Sequence, residues 1–350
     1  MVRAFLEWVR TGRGTRARDI LAKCWSVYWR PEAEASAHVL TRRVPRIDNF
    51  GRYDHGPAQP AREGARLATE ARSATRSRIR RLQLFSLEPQ YAVAWDDLRR
   101  GFMEWPIWTR LGWQDVKRRY RRTMLGPFWA TASLGMFIGG MVFIWAPLFK
   151  TTVTGYLPFL AAGMVAWTLI SSLVNEGCTT YANGGNVITQ LNFPYSILNY
   201  ILVWRNIIVF FHNVLIVVVV NLALSISVGA HVLLVIVGLL IVAVNGVWMS
   251  VLLGIIGARY RDIPPLVANV MQVLMFITPV FWNLSQLPAT THGYLKLNYI
   301  LHLIEVLRAP MLGQVPELSS YVITIGGAVV GWIVAFVFFA HFRRRIAYWL

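Results

Sequence analysis

Six stretches of the sequence are almost entirely apolar, and each is long enough to cross a membrane as a helix. None of them contains Lys, Arg, Asp or Glu. A spanning helix needs about 20 apolar residues, because it rises about 1.5 Å per residue through a hydrocarbon core about 30 Å thick. The pattern therefore predicts an all-α integral membrane protein with six transmembrane helices. Their predicted bounds are 127–149, 156–174, 207–228, 232–258, 266–284 and 319–340.

A different periodicity precedes the first predicted span. Over residues 105–122, apolar and small residues recur at steps of three or four, which is typical of an amphipathic helix. Its Trp residues suit the lipid headgroup region, and its basic side chains can contact anionic phosphates. We expect this helix to lie on the membrane surface, although basic residues that only orient the chain would produce the same charge. The candidate headgroup ligands are Lys117, Arg118, Arg119, Arg121 and Arg122.

A shorter apolar run lies between the fifth and sixth predicted spans. Residues Tyr299–Met311 are apolar and helix-like, but they are too few to cross a membrane. Glu305 and Arg308 stand three positions apart, where a helix would bring them together as an ion pair. The run predicts a short re-entrant or interfacial helix, and a plain extracytoplasmic loop is the alternative.

Composition and charge agree with a membrane protein that follows a basic segment. Hydrophobic residues make up 55% of the chain and charged residues only 15%, and 26 of the 35 Lys and Arg residues precede Pro127. The net charge of +18 is therefore concentrated outside the apolar part, and we do not expect a nucleic-acid partner. Three regions are predicted: a largely disordered extension, 1–83, a cytoplasmic segment, 84–126, and a six-span domain, 127–350.

The distribution of basic residues also predicts the orientation. Basic clusters lie before the first span, between the fourth and fifth spans, and after the sixth. Six spans place all three clusters on one side, which is cytoplasmic because cytoplasmic loops retain Lys and Arg. Both termini are then cytoplasmic.

The sequence lacks the phosphate-binding motif GxxxxGK[ST], and it contains no Gly-Lys dipeptide. A chain without that motif does not hold ATP phosphates in a P-loop, so any energy from ATP would come from another protein. We also expect no bound cofactor and no metal site, and the two cysteines fit neither a disulfide framework nor a metal site.

Four stretches of the sequence together resemble Wzm-type permeases, the membrane subunits of ABC exporters for O-antigen, capsule and related polysaccharides. The similarity covers about residues 95–350. One departure is Asn298-Tyr299, where many relatives have Asn-Pro. The four stretches are LGWQDVKRRYRRTMLGPFW at 111–129, VNEGCTTYANGGNVITQLNFPYSILNYILVWRNIIVFFHN at 174–213, LGIIGARYRDIPPLVANVMQVLMFITPVFW at 253–282 and YILHLIEVLRAPMLG at 299–313.

The resemblance implies a transport subunit rather than an enzyme. Two copies would form a homodimer in the bacterial inner membrane, each with a separate ATPase subunit that hydrolyses ATP. The substrate would be a polysaccharide linked to polyprenol pyrophosphate. In such permeases the connection between the second and third spans carries a coupling helix for the ATPase. The coupling candidates are Asn186, Val187, Ile188, Phe193, Pro194, Arg259, Arg261 and Asp262.

A sugar polymer presents apolar C–H faces, so aromatic rings can line its path without fixing one register. Each of these aromatic residues could instead face lipid or pack in the interior. The pathway candidates are Phe128, Trp129, Phe137, Trp145, Trp167, Phe276, Phe281 and Trp282.

Two other functions remain open at this point. An exporter of the same fold could carry a lipid, a drug or teichoic acid. A membrane-embedded transferase for polyprenyl phosphates would also use basic residues at headgroup depth, but it would need carboxylates for a metal. The adjacent pair available is Asp96-Asp97, upstream of the apolar part.

Overall fold

The computed structural model describes residues 87–121, 126, 128–185, 193–283, 288 and 293–349. The predicted disordered extension, 1–83, lies outside these ranges. The described residues are helical, with no strand among them.

Two helices precede the apolar part. Helix α1, Leu87–Met103, was not predicted, and helix α2, Trp105–Arg119, occupies the segment for which an interfacial helix is predicted. Pro106 stands in the first turn of α2, where its missing N–H costs nothing. Gly112 and Val116 are buried on one face of α2, while Lys117 and Arg118 are exposed on another. Placement on a membrane surface stays a prediction.

Among the described residues, five helices are long and apolar enough to cross a membrane. They correspond to the first four predicted spans and the last. The helix Ile197–Ala223 begins ten residues before its predicted span, so the connection that precedes it is shorter than expected. The five are α3, Phe128–Leu148; α4, Val153–Cys178; α6, Ile197–Ala223; α7, Leu234–Arg259, which a 3₁₀ turn at Gly229–Leu233 extends; and α10, Leu318–Trp349. The short helix Thr180–Asn183 is α5.

The prediction of one continuous helix over 266–284 is wrong. Helix α8, Ile263–Ile277, has 15 residues and ends where Thr278 adopts an extended backbone. Pro279 explains the end, because the residue before a proline is disfavoured in the helical region and proline has no N–H to donate. Val280 and Phe281 then turn into the protein interior and are buried.

Helix α4 forms the centre of the bundle. Sixteen of its residues are buried, and α3, α6, α7, α8 and α9, Tyr299–Met311, all pack against it. α7 approaches α4 closely through small residues: a Cβ on Gly257 would collide with the Cys178 carbonyl, and one on Gly246 would lie 2.9 Å from Leu173. Close approach of this kind gives membrane helices their van der Waals contact.

Helix α9 lies within the bundle and is buried along most of its length. The Asn298 side chain accepts a hydrogen bond from Ile300 N–H, which caps the helix, and donates another to Thr278 at 2.7 Å. Tyr299 donates to the Asn245 side chain at 2.6 Å. The Asn-Tyr pair therefore provides both a cap and a cross-helix bond, so the departure from Asn-Pro does not disturb the turn.

Two pairs of glycines at helical spacing have different surroundings. Gly327 and Gly331 of α10 make room for the rings of Tyr299 and Trp248. Gly135 and Gly139 of α3 have nothing within 4 Å of a built Cβ. The first pair serves packing inside the subunit, whereas the second lies on a face that the described residues leave uncovered.

Candidate functional site

The charged side chains of the described chain collect at two ends of the bundle. We call the end with α1, α2 and the C-terminal turns of α4, α7 and α10 the basic end. We call the opposite end, with the first turn of α4 and with α9, the far end.

At the basic end, a buried carboxylate joins three segments that are distant in sequence. Asp97 of α1 accepts hydrogen bonds from the N–H groups of Tyr195 and Ser196, at 3.1 and 3.0 Å. Arg343 of α10 pairs with the same carboxylate at 2.6 Å and also lies 4.9 Å from the centre of the Tyr195 ring. Ser196 donates back to the Asp97 carbonyl at 2.8 Å. We call these four residues the Asp97 clasp.

The position of Tyr195 and Ser196 in the sequence explains why they bind a carboxylate. Tyr195 and Ser196 immediately precede α6, so their N–H groups belong to a helix start that has no intrahelical acceptors. A carboxylate satisfies such groups and is favoured by the positive end of the helix dipole. The Asp97 side chain is fully buried, which makes the arginine partner necessary, because an unpaired buried charge is costly.

A second carboxylate at the same end connects α2, α4 and α6. Glu176, near the end of α4, pairs with Arg119 of α2 and Arg205 of α6, each at 2.7 Å, and accepts from Asn206 at 3.0 Å. The hydrogen bond from Arg119 to Glu176 raises the pKa of Arg119. Arg205 also reaches Asp115 at 3.5 Å. We call these five residues the Glu176 network.

The predicted headgroup residues therefore fall into different environments. Arg119 is committed to the Glu176 network, and Arg118 pairs with Asp115 at 2.9 Å. Lys117 lies over the Trp113 ring at 5.5 Å and is exposed, and Arg121 is also exposed. Arg122 lies outside the described residues. The headgroup role stays a prediction, and Lys117, Arg118 and Arg121 are the members that face outward.

The predicted coupling residues are placed in part. Asn186, Val187 and Ile188 lie outside the described ranges, while Phe193 and Pro194 are half-buried directly before the Asp97 clasp. Arg259 stacks on the rings of Tyr260 and Trp349 at 5.2 and 5.4 Å. Arg261 and Asp262 are exposed. Across the described residues, neither arginine forms the possible hydrogen bond to Asp262. The coupling role stays a prediction.

The eight predicted pathway aromatics do not share one surface. Trp167 and Phe281 are buried inside the subunit, whereas Phe128, Trp129, Phe137 and Phe276 are about half exposed. Trp145, Phe276 and Phe281 pack together with Phe149 and Tyr156 where α3, α4 and α8 meet. Trp282 donates its indole N–H to the Phe276 carbonyl at 3.0 Å. Their role in a pathway stays a prediction.

The far end contains the predicted Glu305–Arg308 pair. Arg308 donates to Glu305 at 2.5 Å and to the Pro279 carbonyl at 2.7 Å, and its guanidinium lies 4.4 Å from the Phe159 ring centre. The pair lines an open polar cavity of about 890 Å³, which also borders His302, Lys296 and Glu317. Arg308 is buried and holds α9 to the turn after α8, so its position is structural.

The sequence reasoning missed the residues that organise the basic end. Asp97 was noted only as part of a carboxylate pair, and Glu176, Arg205 and Asn206 were not selected. Asp96 is exposed and pairs with Arg100 at 2.8 Å, whereas Asp97 is buried and committed to the clasp. The two carboxylates therefore serve different contacts and do not converge as a metal-binding pair. Glu176 and Arg205 carried one usable signal, because charges directly adjoining apolar spans usually have protein partners.

A bundle of long apolar helices with charged networks at its ends is the architecture of a polytopic membrane protein. The sequence model of the ABC-2 type transporter family matches residues 108–312, which include α3 to α9 and most of α2. The chain belongs to this family.

Two relatives with known names show which members of the family the chain is similar to. The chain is 24% identical over 172 residues to the O-antigen export system permease protein RfbA of Myxococcus xanthus, covering 49% of this chain and 66% of that protein. It is 26% identical over 85 residues to the RfbA of Klebsiella pneumoniae, covering 24% of this chain and 33% of that protein. The matches span less than two thirds of either relative. The resemblance drawn from the four sequence stretches is confirmed at this level.

Proposed function

We propose that the chain is the membrane permease subunit of an ABC transporter that exports a polyprenol-pyrophosphate-linked polysaccharide of the O-antigen or capsule type. A separate ATPase subunit hydrolyses the ATP, and the chain itself is a transport subunit rather than an enzyme. The observation that carries the proposal is the similarity to permeases named for O-antigen export, within a chain that belongs to the ABC-2 type transporter family.

The Asp97 clasp supports a mechanical link to the ATPase. The proposed coupling segment runs from 186 to 194, and Tyr195 and Ser196 follow it without a gap. Their N–H groups are held by Asp97, which also holds Arg343 of α10. A push on Phe193 and Pro194 would therefore act on α1, α6 and α10 together instead of bending a free loop.

The outward-facing basic residues of α2 support an entry site for a pyrophosphate headgroup. Lys117, Arg118 and Arg121 are exposed, while Arg119 anchors the helix through Glu176. Arginine and lysine at headgroup depth attract anionic phosphates. In this proposal α2 lies on the cytoplasmic face of the inner membrane, and both termini are cytoplasmic.

Six spans and a homodimer complete the proposal. α8, with the segment that follows it, would supply the sixth crossing, and α9 would be re-entrant. Helix α3 supports the second subunit as its partner, because its window of greatest hydropathy is only 17% buried, compared with 72% for α4. Gly135, Gly139 and Gly140 on α3 have no neighbour within 4 Å of a built Cβ, which suits close approach by another helix.

Deletion of the gene tests the function in cells. We expect surface polysaccharide to disappear while lipid-linked polymer accumulates inside, and wild-type complementation to restore the surface polymer. Normal surface polymer in the deletion strain would contradict the proposal. If surface polysaccharide is normal but a teichoic acid or lipid is retained inside, the fold has another cargo.

Copurification tests the coupling surface. An alanine variant of Phe193 should reduce recovery of the ATPase subunit with the affinity-tagged chain. Leu297→Ala is the matched control, because Leu297 is an exposed apolar residue at the far end of the bundle. Equal recovery with both variants would remove Phe193 from the proposed contact.

A further inference from the structure

An apolar groove runs between α1 and α10 at the basic end. It has a volume of about 630 Å³, and Leu98 and Tyr200 line it together with rings from both helices. Trp95 of α1 meets Phe336 of α10 edge to face, with centroids 6.4 Å apart, so the two helices converge along the groove. Phe102 and Ile333 keep about 60% of their surface exposed, and the groove is therefore open to the outside of the subunit.

The groove continues along α10 toward the middle of the bundle. Trp332 and Ile333 line it and also line a second apolar groove of about 560 Å³ between α7 and α10, which reaches Ile325. From Phe336 to Ile325, a rise of 1.5 Å per residue gives about 16 Å. Half of a hydrocarbon core about 30 Å thick has the same depth. The combined groove is thus about as long as one leaflet of the hydrocarbon core is thick, and it begins at the basic end.

The mouth of the groove carries one uncompensated positive charge. Arg99 lines it, is exposed, and has no hydrogen bond or ion pair with any described residue. The adjacent carboxylate, Asp96, pairs with Arg100 at 2.8 Å. A phosphate would find a cation here, whereas the residues that line the groove offer no carboxylate to the ammonium group of a zwitterionic lipid. The charge pattern favours a headgroup with net negative charge.

Contacts within the protein hold the wall of the groove in place before any ligand binds. Asp97 and Leu98 neighbour Arg99, and they bind α1 to the rest of the bundle: Asp97 through the clasp, and Leu98 through its carbonyl, which accepts from Tyr200 at 3.2 Å. A preformed site loses little conformational entropy on binding. This separates the groove from a bare lipid-facing helix surface, on which nothing holds a headgroup in one place.

We propose that this groove binds one anionic glycerophospholipid of the surrounding membrane. The phosphate pairs with Arg99, and one acyl chain lies over Leu98, Trp332 and Ile333. The site does not depend on the cargo proposed above, because it lies between α1 and α10 and none of the basic residues of α2 lines it.

Native mass spectrometry of the purified full-length chain tests this site. Phosphatidylglycerol and phosphatidylcholine would be added separately in equal amounts to delipidated protein in detergent. We expect wild type to retain phosphatidylglycerol about fivefold better than phosphatidylcholine, the ratio that one basic residue near a membrane surface provides. Arg99→Gln should bring the ratio close to one. Ile333→Trp, which fills the groove, should lower retention of both lipids.

Arg110→Gln is the matched control. Arg110 is an exposed arginine at the same end of the bundle, but it lies on α2 and does not line the groove. It should keep the wild-type ratio. The proposal is overturned if Arg99→Gln retains the wild-type ratio, if Arg110→Gln loses as much, or if Ile333→Trp binds both lipids normally. It is also overturned if wild type retains neither lipid above background.

Discussion

Removal of the Asp97 carboxylate should destabilise the basic end more than any surface substitution there. Asp97→Ala leaves the N–H groups of Tyr195 and Ser196 without their acceptor and Arg343 without its partner. Loss of one partner from a buried ion pair costs about 3–5 kcal/mol. The two N–H bonds to a charged acceptor, at about 1.5–3 kcal/mol each, together give a loss of the same order before the groups relax toward solvent.

The neighbouring residue provides the control. Asp96 pairs with Arg100, but both side chains are at least half exposed, and exposed pairs contribute about 0–1 kcal/mol. The free energy of unfolding, measured in detergent by denaturant titration, should therefore fall several times further for Asp97→Ala than for Asp96→Ala. Arg343→Ala should lie between the two: it leaves the buried Asp97 charge without its cation, but the N–H groups of Tyr195 and Ser196 still donate to the carboxylate. Equal losses for Asp97→Ala and Asp96→Ala would refute this reasoning.

Three further predictions concern the packing of the helices. Gly257→Val should separate α4 from α7 and cost at least about 1–3 kcal/mol, because its Cβ would meet the Cys178 carbonyl. Tyr299→Phe should cost about 0.5–1.5 kcal/mol through loss of the bond to Asn245. Glu176→Gln should cost about 1–3 kcal/mol and release α2, since Arg119 and Arg205 lose their charged partner. Unfolding titrations measure all three, and limited proteolysis after α2 reports the release.

Each of these predictions has a matched comparison. Gly139→Val should leave the unfolding free energy of the monomer near wild type, since nothing lies within 4 Å, and should weaken only self-association measured by cross-linking. Tyr348→Phe removes an exposed hydroxyl and should leave the free energy of unfolding unchanged. Protease resistance of Glu176→Gln equal to that of wild type would show that α2 is held by apolar contacts alone. A Gly257→Val protein as stable as Gly139→Val would contradict the close approach of α4 and α7.

Hydropathy predicted the long helices well because a single segment that crosses hydrocarbon can pair its own backbone groups only as a helix. Backbone groups in hydrocarbon must be paired internally, so an apolar run of sufficient length is helical whatever its partners. The same argument fails at helix ends, since hydropathy reports contact with lipid and not helix length. α6 begins at Ile197 and includes Arg205 and Asn206, which are polar because they belong to the Glu176 network.

Two errors concerned signals that were present in the sequence. Pro279 marked the end of α8, but the apolar run through it was read as one span. Gly246, Ser250 and Gly254 repeat at steps of four and form the close face of α7 toward α4, yet this repeat was not used to predict a packing face. Small residues mark close approach, and their sequence does not say which neighbour approaches.

The Asp97 clasp lay beyond sequence reasoning for a different reason. Its partners are 98, 99 and 246 positions away, and each residue taken alone is an ordinary Asp, Ser, Tyr or Arg. Single-sequence patterns report local periodicity, whereas this contact exists only once α1, α6 and α10 have packed together. Phe193 and Pro194 were selected as coupling candidates, and that role stays a prediction, but the contacts that hold the residues directly after them were not foreseen.

The clasp also sets an order for biosynthesis. Synthesis proceeds from the N-terminus, so Asp97 leaves the ribosome long before Arg343, with all the long apolar helices made in between. Until Arg343 is made, the buried carboxylate of α1 lacks its cation. A nascent chain that stops before residue 343 would carry every long apolar helix except a complete α10, and its clasp would lack the cation that pairs with the buried carboxylate.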